Sequence, residues 1–404
     1  MSKPAISVVI PAYNCASYLP AAIQSALDQS YPDVEVVVVN DGSPDNTDEV
    51  VQPYLDRIVY VMQENKGLSG ARNTGFRVSK GDFVCFLDAD DILLANKFEK
   101  QMAVFEREPD LGVVISGYYD MTDDGQTILQ SVRKNWRRDA LDHLLNHEVF
   151  PPHAPLIRRA ALENSALFPE DIVTAESQED WQLWLDLALN GIQFSSVPEP
   201  LCKYRRRPGS ISSNPLKHLD GAIRVVRWLR QHPQGRLYRQ QIERLAGIIE
   251  MERSARAWQT GKSDLAVEIL AQAFELRPTY WAEPYTWLRL FTISLRLEEL
   301  VKWLSRPEPA WFKKIVIEKY LVDVFKSVPP KNCRKLNASA WLMFCDLAYE
   351  NNDDESRMEG ARNAWSSDWK TCLSAQGFPS TLRALFGPRI IAQLKGRRFS
   401  REEK

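Results

Sequence analysis

Phe83-Val84-Cys85-Phe86-Leu87 runs without a break into Asp88-Ala89-Asp90-Asp91, so an apolar segment delivers three carboxylates with no basic residue among them. Such a concentration of negative charge needs a cation. Carboxylate oxygens are hard ligands, and Mg²⁺ or Mn²⁺ held by one or two of them usually completes its shell with water and phosphate. That suggests a nucleotide diphosphate carried on a metal. The alternative is a solvated loop whose Asp residues cap the following helix. A second acidic centre, Glu176-Ser177-Gln178-Glu179-Asp180, precedes Trp181, Trp184, Leu185 and Ala188 at helical spacing. Asp180 then sits in the first turn of a helix with its apolar stripe facing a core. It is a candidate for chemistry there, or a capping residue at the third position with Ser177 as N-cap.

The elements that position these groups are legible upstream. Ile6-Ser7-Val8-Val9-Ile10 and Val34-Glu35-Val36-Val37-Val38-Val39 read as strands, Ile58 to Met62 as another, and Tyr18 to Leu27 has helical apolar spacing. The strands end in Pro11-Ala12-Tyr13-Asn14, in Asn40-Asp41-Gly42-Ser43-Pro44-Asp45-Asn46-Thr47 and in Glu64-Asn65-Lys66-Gly67-Leu68-Ser69-Gly70-Ala71-Arg72-Asn73-Thr74-Gly75. Asp41-Gly42 makes a turn, and Ser43 before Pro44 predicts a helix start. Strands alternating with helices imply right-handed crossovers and a mostly parallel sheet, which presents its ligand site beyond the carboxyl ends of the strands.

In order and spacing, Pro11-Ala12-Tyr13-Asn14, Asn40-Asp41-Gly42-Ser43, Asn65-Lys66-Gly67, Gly70-Ala71-Arg72-Asn73 with Gly75, and Asp88-Ala89-Asp90-Asp91 resemble the family-two glycosyltransferases, which are inverting enzymes of GT-A fold. The resemblance covers residues 5 to 92. It implies that Pro11, Ala12, Tyr13 and Asn14 lie along the nucleoside and that Asp41 hydrogen-bonds uracil. Asp88, with Ala89 beside it, would contact the ribose or a metal water, and Asp90 would bind the Mn²⁺ or Mg²⁺ that bridges the phosphates. Lys66, Gly70 and Arg72 would flank the nucleotide, although Arg72 read by itself could be a surface helix residue or a partner for an acidic neighbour. The Glu179-Asp180 pair resembles the family's helix start whose Asp is the catalytic base, which assigns Asp180 to proton removal from an acceptor hydroxyl.

Cys202-Lys203-Tyr204-Arg205-Arg206-Arg207-Pro208-Gly209-Ser210 resembles the family's closing loop but carries Arg207 where His is common. Guanidinium cannot ligate a metal but can clamp phosphate; the neighbouring Lys203, Arg205 and Arg206 could equally be solvated charge. Leu111 to Tyr118 reads as a strand, and Arg133 to His153 as an irregular acceptor-side insertion. Trp136, Arg137, His143, His147 and His153 could shape an acceptor pocket there, although a helix over Ala140 to His147 could equally carry solvent-facing His; no pair of these His joins a carboxylate at zinc spacing, and none is assigned as a ligand.

The chain has 404 residues, long enough for two cores, and its 51 Lys and Arg against 53 Asp and Glu argue against nucleic acid as a main partner. Its six Cys form no dense framework and read as free thiols of a reducing compartment. The N-terminus enters a strand at once, leaving no room for a secretion signal, and no apolar run approaches the roughly 18 to 20 residues that span a bilayer. The expectation is a cytoplasmic protein. Residues 1–219 read as the GT-A glycosyltransferase domain and 220–404 as an all-α domain. Within the latter, Trp258, Gly261, Ala266, Leu270, Ala273, Phe274 and Pro278 resemble one tetratricopeptide-type helical pair. Leu382 to Arg398 has the makeup of a basic interfacial helix interrupted by Pro388, so peripheral membrane contact is weighed against packing on the helical domain.

Two functions remain. One is metal-dependent inverting transfer from a nucleotide diphosphate sugar, UDP-sugar first, to a saccharide or lipid-linked acceptor in bacterial surface polysaccharide or glycolipid synthesis. The other is a degenerate transferase domain that binds nucleotide sugar or recruits partners. Intact Asp41, Asp88, Asp90 and Asp180 favour the enzyme.

Overall fold

The computed structural model describes residues 6–133, 136–138, 140–147, 149–170, 177–207, 210 and 215–260, together with 262, 265, 266, 268, 269, 359, 362 and 363. The chain divides into two compact units, Met1–Leu245 and Ala246–Lys404. Most of the tetratricopeptide-like pair and the whole basic tail lie outside the described residues.

The apolar runs fold as strands and the periodic segments as helices: β1 (Ile6–Ala12), α1 (Leu19–Leu27), β2 (Val34–Asn40), α2 (Thr47–Val51), β3 (Val59–Met62), α3 (Gly67–Val78) and β4 (Phe83–Phe86). There follow β5 (Ile92–Leu93), α4 (Lys97–Arg107), β6 (Leu111–Met121), β7 (Ile128–Val132), β8 (Arg137–Arg138), α5 (Ala140–Leu145), β9 (Pro155–Arg158) and α6 (Arg159–Glu163). Next come α7 (Glu179–Leu189), β10 (Gln193–Arg205), α8 (Pro215–Gln231) and α9 (Arg239–Gln259). Among the described residues no helix is long and apolar enough to cross a membrane.

One sheet holds the strands in the order β3-β2-β1-β4-β9-β6-β10-β5, with β7 on β6 and β8 on β10. β3, β2, β1 and β4 are mutually parallel. Beyond β4 the sheet is mixed, because β9 runs antiparallel to both β4 and β6 while β10 is again parallel to β6. Every residue of β1 and β4 is buried, Ser7 of β1 included, as expected of predominantly apolar strands covered on both faces. Burying each of their Val, Ile or Phe side chains contributes about 1.5–3 kcal/mol.

This order sets the site. The chain leaves β1 for β2 on one side and later returns to β4 on the other, and the crevice beyond such a reversal is where ligands bind. The Leu87 amide donates to the Val9 carbonyl at 2.9 Å, extending the pairing past β4 and bringing Asp88 level with the end of β1. α3 lies close on the sheet because Gly75 has no side chain: a Cβ there would stand 2.3 Å from Val9 Cγ1. That approach holds Arg72, one turn earlier, over the same sheet end.

One expected start is corrected. Ser43-Pro44 does not open a helix; α2 begins at Thr47. The Asp45 carboxylate accepts from the Thr47 amide at 3.2 Å and from the Ala16 amide at 2.9 Å, so residues 40–45 are drawn into a turn stitched to the loop after β1.

Candidate active site

A cleft of about 760 Å³ opens beyond the ends of β1, β2 and β4, a volume in the range of small-molecule sites. Pro11, Ala12, Tyr13, Asn14, Asp41, Arg72, Asp88, Ala89, Asp90, Asp180 and Arg207 all line it. Lys66 and Gly70 are not in that lining. Lys66 instead meets the site through its backbone, whose amide donates to Asp41 Oδ1 at 2.8 Å, and a Cβ on Gly70 would stand 2.6 Å from Lys66 Cβ. Asp41 is 2% exposed and also accepts from Gln63 Nε2 on Oδ1, at 2.6 Å. Both bonds fall on one oxygen, Oδ1.

Arg72 joins the two acidic centres. It is 1% exposed; Nη2 donates to Asp88 Oδ1 and Nη1 to Glu179 Oε1, each at 2.6 Å. Burial alone would favour a neutral guanidine, but the two carboxylates outweigh it and hold the charge. Of the sequence alternatives for Arg72, the surface position is excluded by its burial. Arg207 stands over the other carboxylate: Nε donates to Asp90 Oδ2 at 2.5 Å, and the guanidinium lies 5.5 Å from the Tyr18 ring centre. Arg205 and Arg206 also line the cleft, with Arg205 donating to the Asp90 and Asp123 carbonyls and Arg206 to Asp120.

The residues fit a hard divalent cation. Arg72 and Arg207 each engage a single oxygen of Asp88 and Asp90, so each carboxylate keeps the other oxygen for a metal. An all-oxygen donor set of one or two carboxylates suits Mg²⁺ or Mn²⁺ with phosphate and water.

Asp180 belongs to α7, whose N-cap is Gln178 in the left-handed region at φ 68°, with no side-chain cap. Ser177 is therefore not the cap. Trp181 and Trp184 are 0% exposed and anchor the helix, Trp181 Nε1 donating to the Leu144 carbonyl at 3.1 Å and Trp184 stacking on Phe150. The half-buried Asp180 accepts from the Trp181 amide at 2.7 Å. Burial first, then the neighbouring Glu179 charge, push its carboxyl up to about 7 against the pull of Arg72. A carboxylate so tuned can exchange a proton near neutrality.

Beside Asp180 the wall is made by Phe150, Pro151, Pro152, Gln178, Lys217 and His218. Gln178 Nε2 and His218 Nε2 are 2.6 Å apart, and burial lowers the His218 pKa. The segment read as irregular contains β8 and α5, and its His residues do not form one group: His143 stacks on Trp136 at 4.7 Å while His147 lies against Trp181. His153 does not shape the cleft at all. It is 0% exposed, with Nδ1 3.0 Å from Asp91 Oδ2. Burial would lower its pKa, but Asp91 outweighs burial and raises it well above the ordinary value. Sequence reasoning missed Glu179 as the partner of Arg72 and missed the Asp91–His153 pair; the Glu-Asp doublet was the available signal for the first, and nothing local marked the second.

The fold is of the GT-A type. The model of the glycosyl transferase family 2 matches residues 7–165. An uncharacterized glycosyltransferase of Rickettsia typhi is 31% identical over 224 residues, which cover 54% of this chain and 69% of that protein. WfaP of Escherichia coli, a UDP-Glc:alpha-D-GlcNAc-diphosphoundecaprenol beta-1,3-glucosyltransferase, is 27% identical over 224 residues, covering 55% of this chain and 85% of WfaP. The crystal structure of S. aureus TarS 1-349 in complex with UDP-GlcNAc is similar over 90% of this chain and 91% of that one, with 20% identity and a TM-score of 0.48. The chain belongs to glycosyl transferase family 2.

Proposed function

We propose that this glycosyltransferase moves a sugar from UDP-sugar to an acceptor hydroxyl with inversion, in the synthesis of a bacterial surface polysaccharide or glycolipid. The observation that carries this reading is the bridge Asp88–Arg72–Glu179, which fixes the donor carboxylates and the Asp180 helix around one cleft. The acceptor oxygen attacks the anomeric carbon, its proton passes to Asp180, and the bond to the β-phosphate oxygen breaks with its electron pair leaving on UDP. Asp41 reads the uracil edge, Pro11 to Asn14 line the nucleoside, and Arg207 turns from Asp90 to the diphosphate. A divalent cation at Asp88 and Asp90 would supply neutralisation of the charge developing on the leaving group. The UDP donor and the lipid-linked saccharide acceptor are supported by the substrates in the name of WfaP. Catalysis in the cytoplasm, with a separate C-terminal helical domain offering peripheral membrane contact, belongs to the same proposal.

The test is donor hydrolysis by the purified chain across UDP-, GDP- and dTDP-sugars with Mn²⁺. Turnover of a UDP-sugar supports the proposal. Turnover of GDP-sugars alone would overturn the donor assignment, and binding of UDP-sugar with no hydrolysis or transfer to any lipid-linked saccharide would favour a binding module.

A further inference from the structure

We infer that Asp91 and His153 are positioning residues: they lock the Asp88–Asp90 turn to the end of β10, so that Asp90 and Arg207 meet the donor diphosphate together. This rests on the donor-site reading above. Asp91 is the third carboxylate of the acidic run, yet it is 1% exposed and lies behind the cleft wall. Its Oδ1 accepts from the backbone amide of Arg205, the last residue of β10, at 2.7 Å. Its Oδ2 is in ion-pair contact with His153 Nδ1 at 3.0 Å, off the line of a hydrogen bond. His153 follows Pro151 and Pro152 of the cleft wall, and its carbonyl accepts from the Cys85 thiol of β4 at 3.8 Å.

One buried carboxylate therefore ties three cleft-lining segments together. The consequence is visible at Arg205 itself, whose Nε donates to the Asp90 carbonyl at 2.7 Å, and two residues on, where Arg207 Nε reaches the Asp90 carboxylate at 2.5 Å. Asp91 is thus held out of water by one hydrogen bond from a main-chain amide and one charge contact with an imidazole, from segments distant in sequence, an arrangement that fixes the groups in front of it as outer-shell residues do.

The experiment is calorimetric titration of UDP with Mn²⁺ into the wild-type chain, Asp91→Ala, Arg207→Gln and the double variant, with melting curves to verify folding. If Asp91 acts through Arg207 and Asp90, each single change weakens UDP affinity about ten-fold and the double variant loses little more than either. Multiplied losses in the double variant, or wild-type affinity in Asp91→Ala, would overturn the inference. Should Asp91→Ala not fold, His153→Gln keeps the Asp91–Arg205 bond and is read in the same cycle with Arg207→Gln. Failure of the wild-type chain to bind UDP would instead remove the donor-site reading, and this inference with it.

Discussion

Arg72 and Glu179 form a 2.6 Å ion pair across 107 residues of sequence, between the second turn of α3 and the first residue of α7. The same guanidinium holds Asp88 at 2.6 Å, and its Nε is buried without a hydrogen-bond partner, so both terminal nitrogens are committed to carboxylates. Asp88 and Glu179, from the two acidic segments of the cleft, are thus held by a single side chain.

Arg72→Met should expose the cost of that arrangement. It leaves Glu179 buried beside Asp180 with no counter-charge, and breaking a buried pair by removing one partner costs about 3–5 kcal/mol. Urea unfolding at pH 7 measures it. A loss below about 1 kcal/mol would mean that the bridge is not a determinant of the folded site.

Asp90→Asn should abolish transfer and greatly weaken Mn²⁺-dependent UDP binding without unfolding the chain, because the position keeps its shape but loses the charge that a cation needs. Calorimetry of UDP with and without Mn²⁺ reads this directly. Unchanged Mn²⁺-dependent affinity would remove Asp90 from the metal site.

Asp41 should decide the base. A carboxylate oxygen accepts from N3–H of uracil or thymine, whereas guanine presents a different edge, so UDP and dTDP should bind better than GDP. Asp41→Ala should erase most of that preference. Equal affinity of the wild-type chain for GDP would contradict the role.

The raised Asp180 pKa fixes the sign of two pH effects. Since a base works only when ionised, kcat/KM should climb about ten-fold per pH unit below about pH 7 and level off above it. The folded chain also holds this proton more tightly than the unfolded one, so Asp180 withdraws stability as pH rises from 3.8 to about 7. Asp180→Asn should then melt at or above wild type at pH 8, whereas a helix-capping Asp would lose about 1 kcal/mol on the same change.

What the sequence made legible follows from what was local. β1, β2 and β4 are largely buried and read as predominantly apolar runs, and the loops at their ends carry Asp41 and Asp88 where the strands stop. The Ser43-Pro44 helix start failed because the Asp45 carboxylate reaches the Ala16 amide across 29 residues, an interaction that no local pattern contains. Asp90 with Arg207, Asp91 with His153, and Arg72 with Glu179 are likewise pairs made by the sheet order. Their members could be suspected one by one, but the pairings come only from the reversal at β1 and β4 and the return of β10.

The most direct measurement is single-turnover transfer by Asp180→Asn beside its UDP-sugar affinity. Asn keeps the size of Asp and can still accept a hydrogen bond, but it cannot take the acceptor proton. The expected result is a loss of about two to four orders of magnitude in the transfer rate with donor affinity close to wild type. A rate per folded molecule near that of the wild-type chain would contradict the assignment of Asp180 as the base.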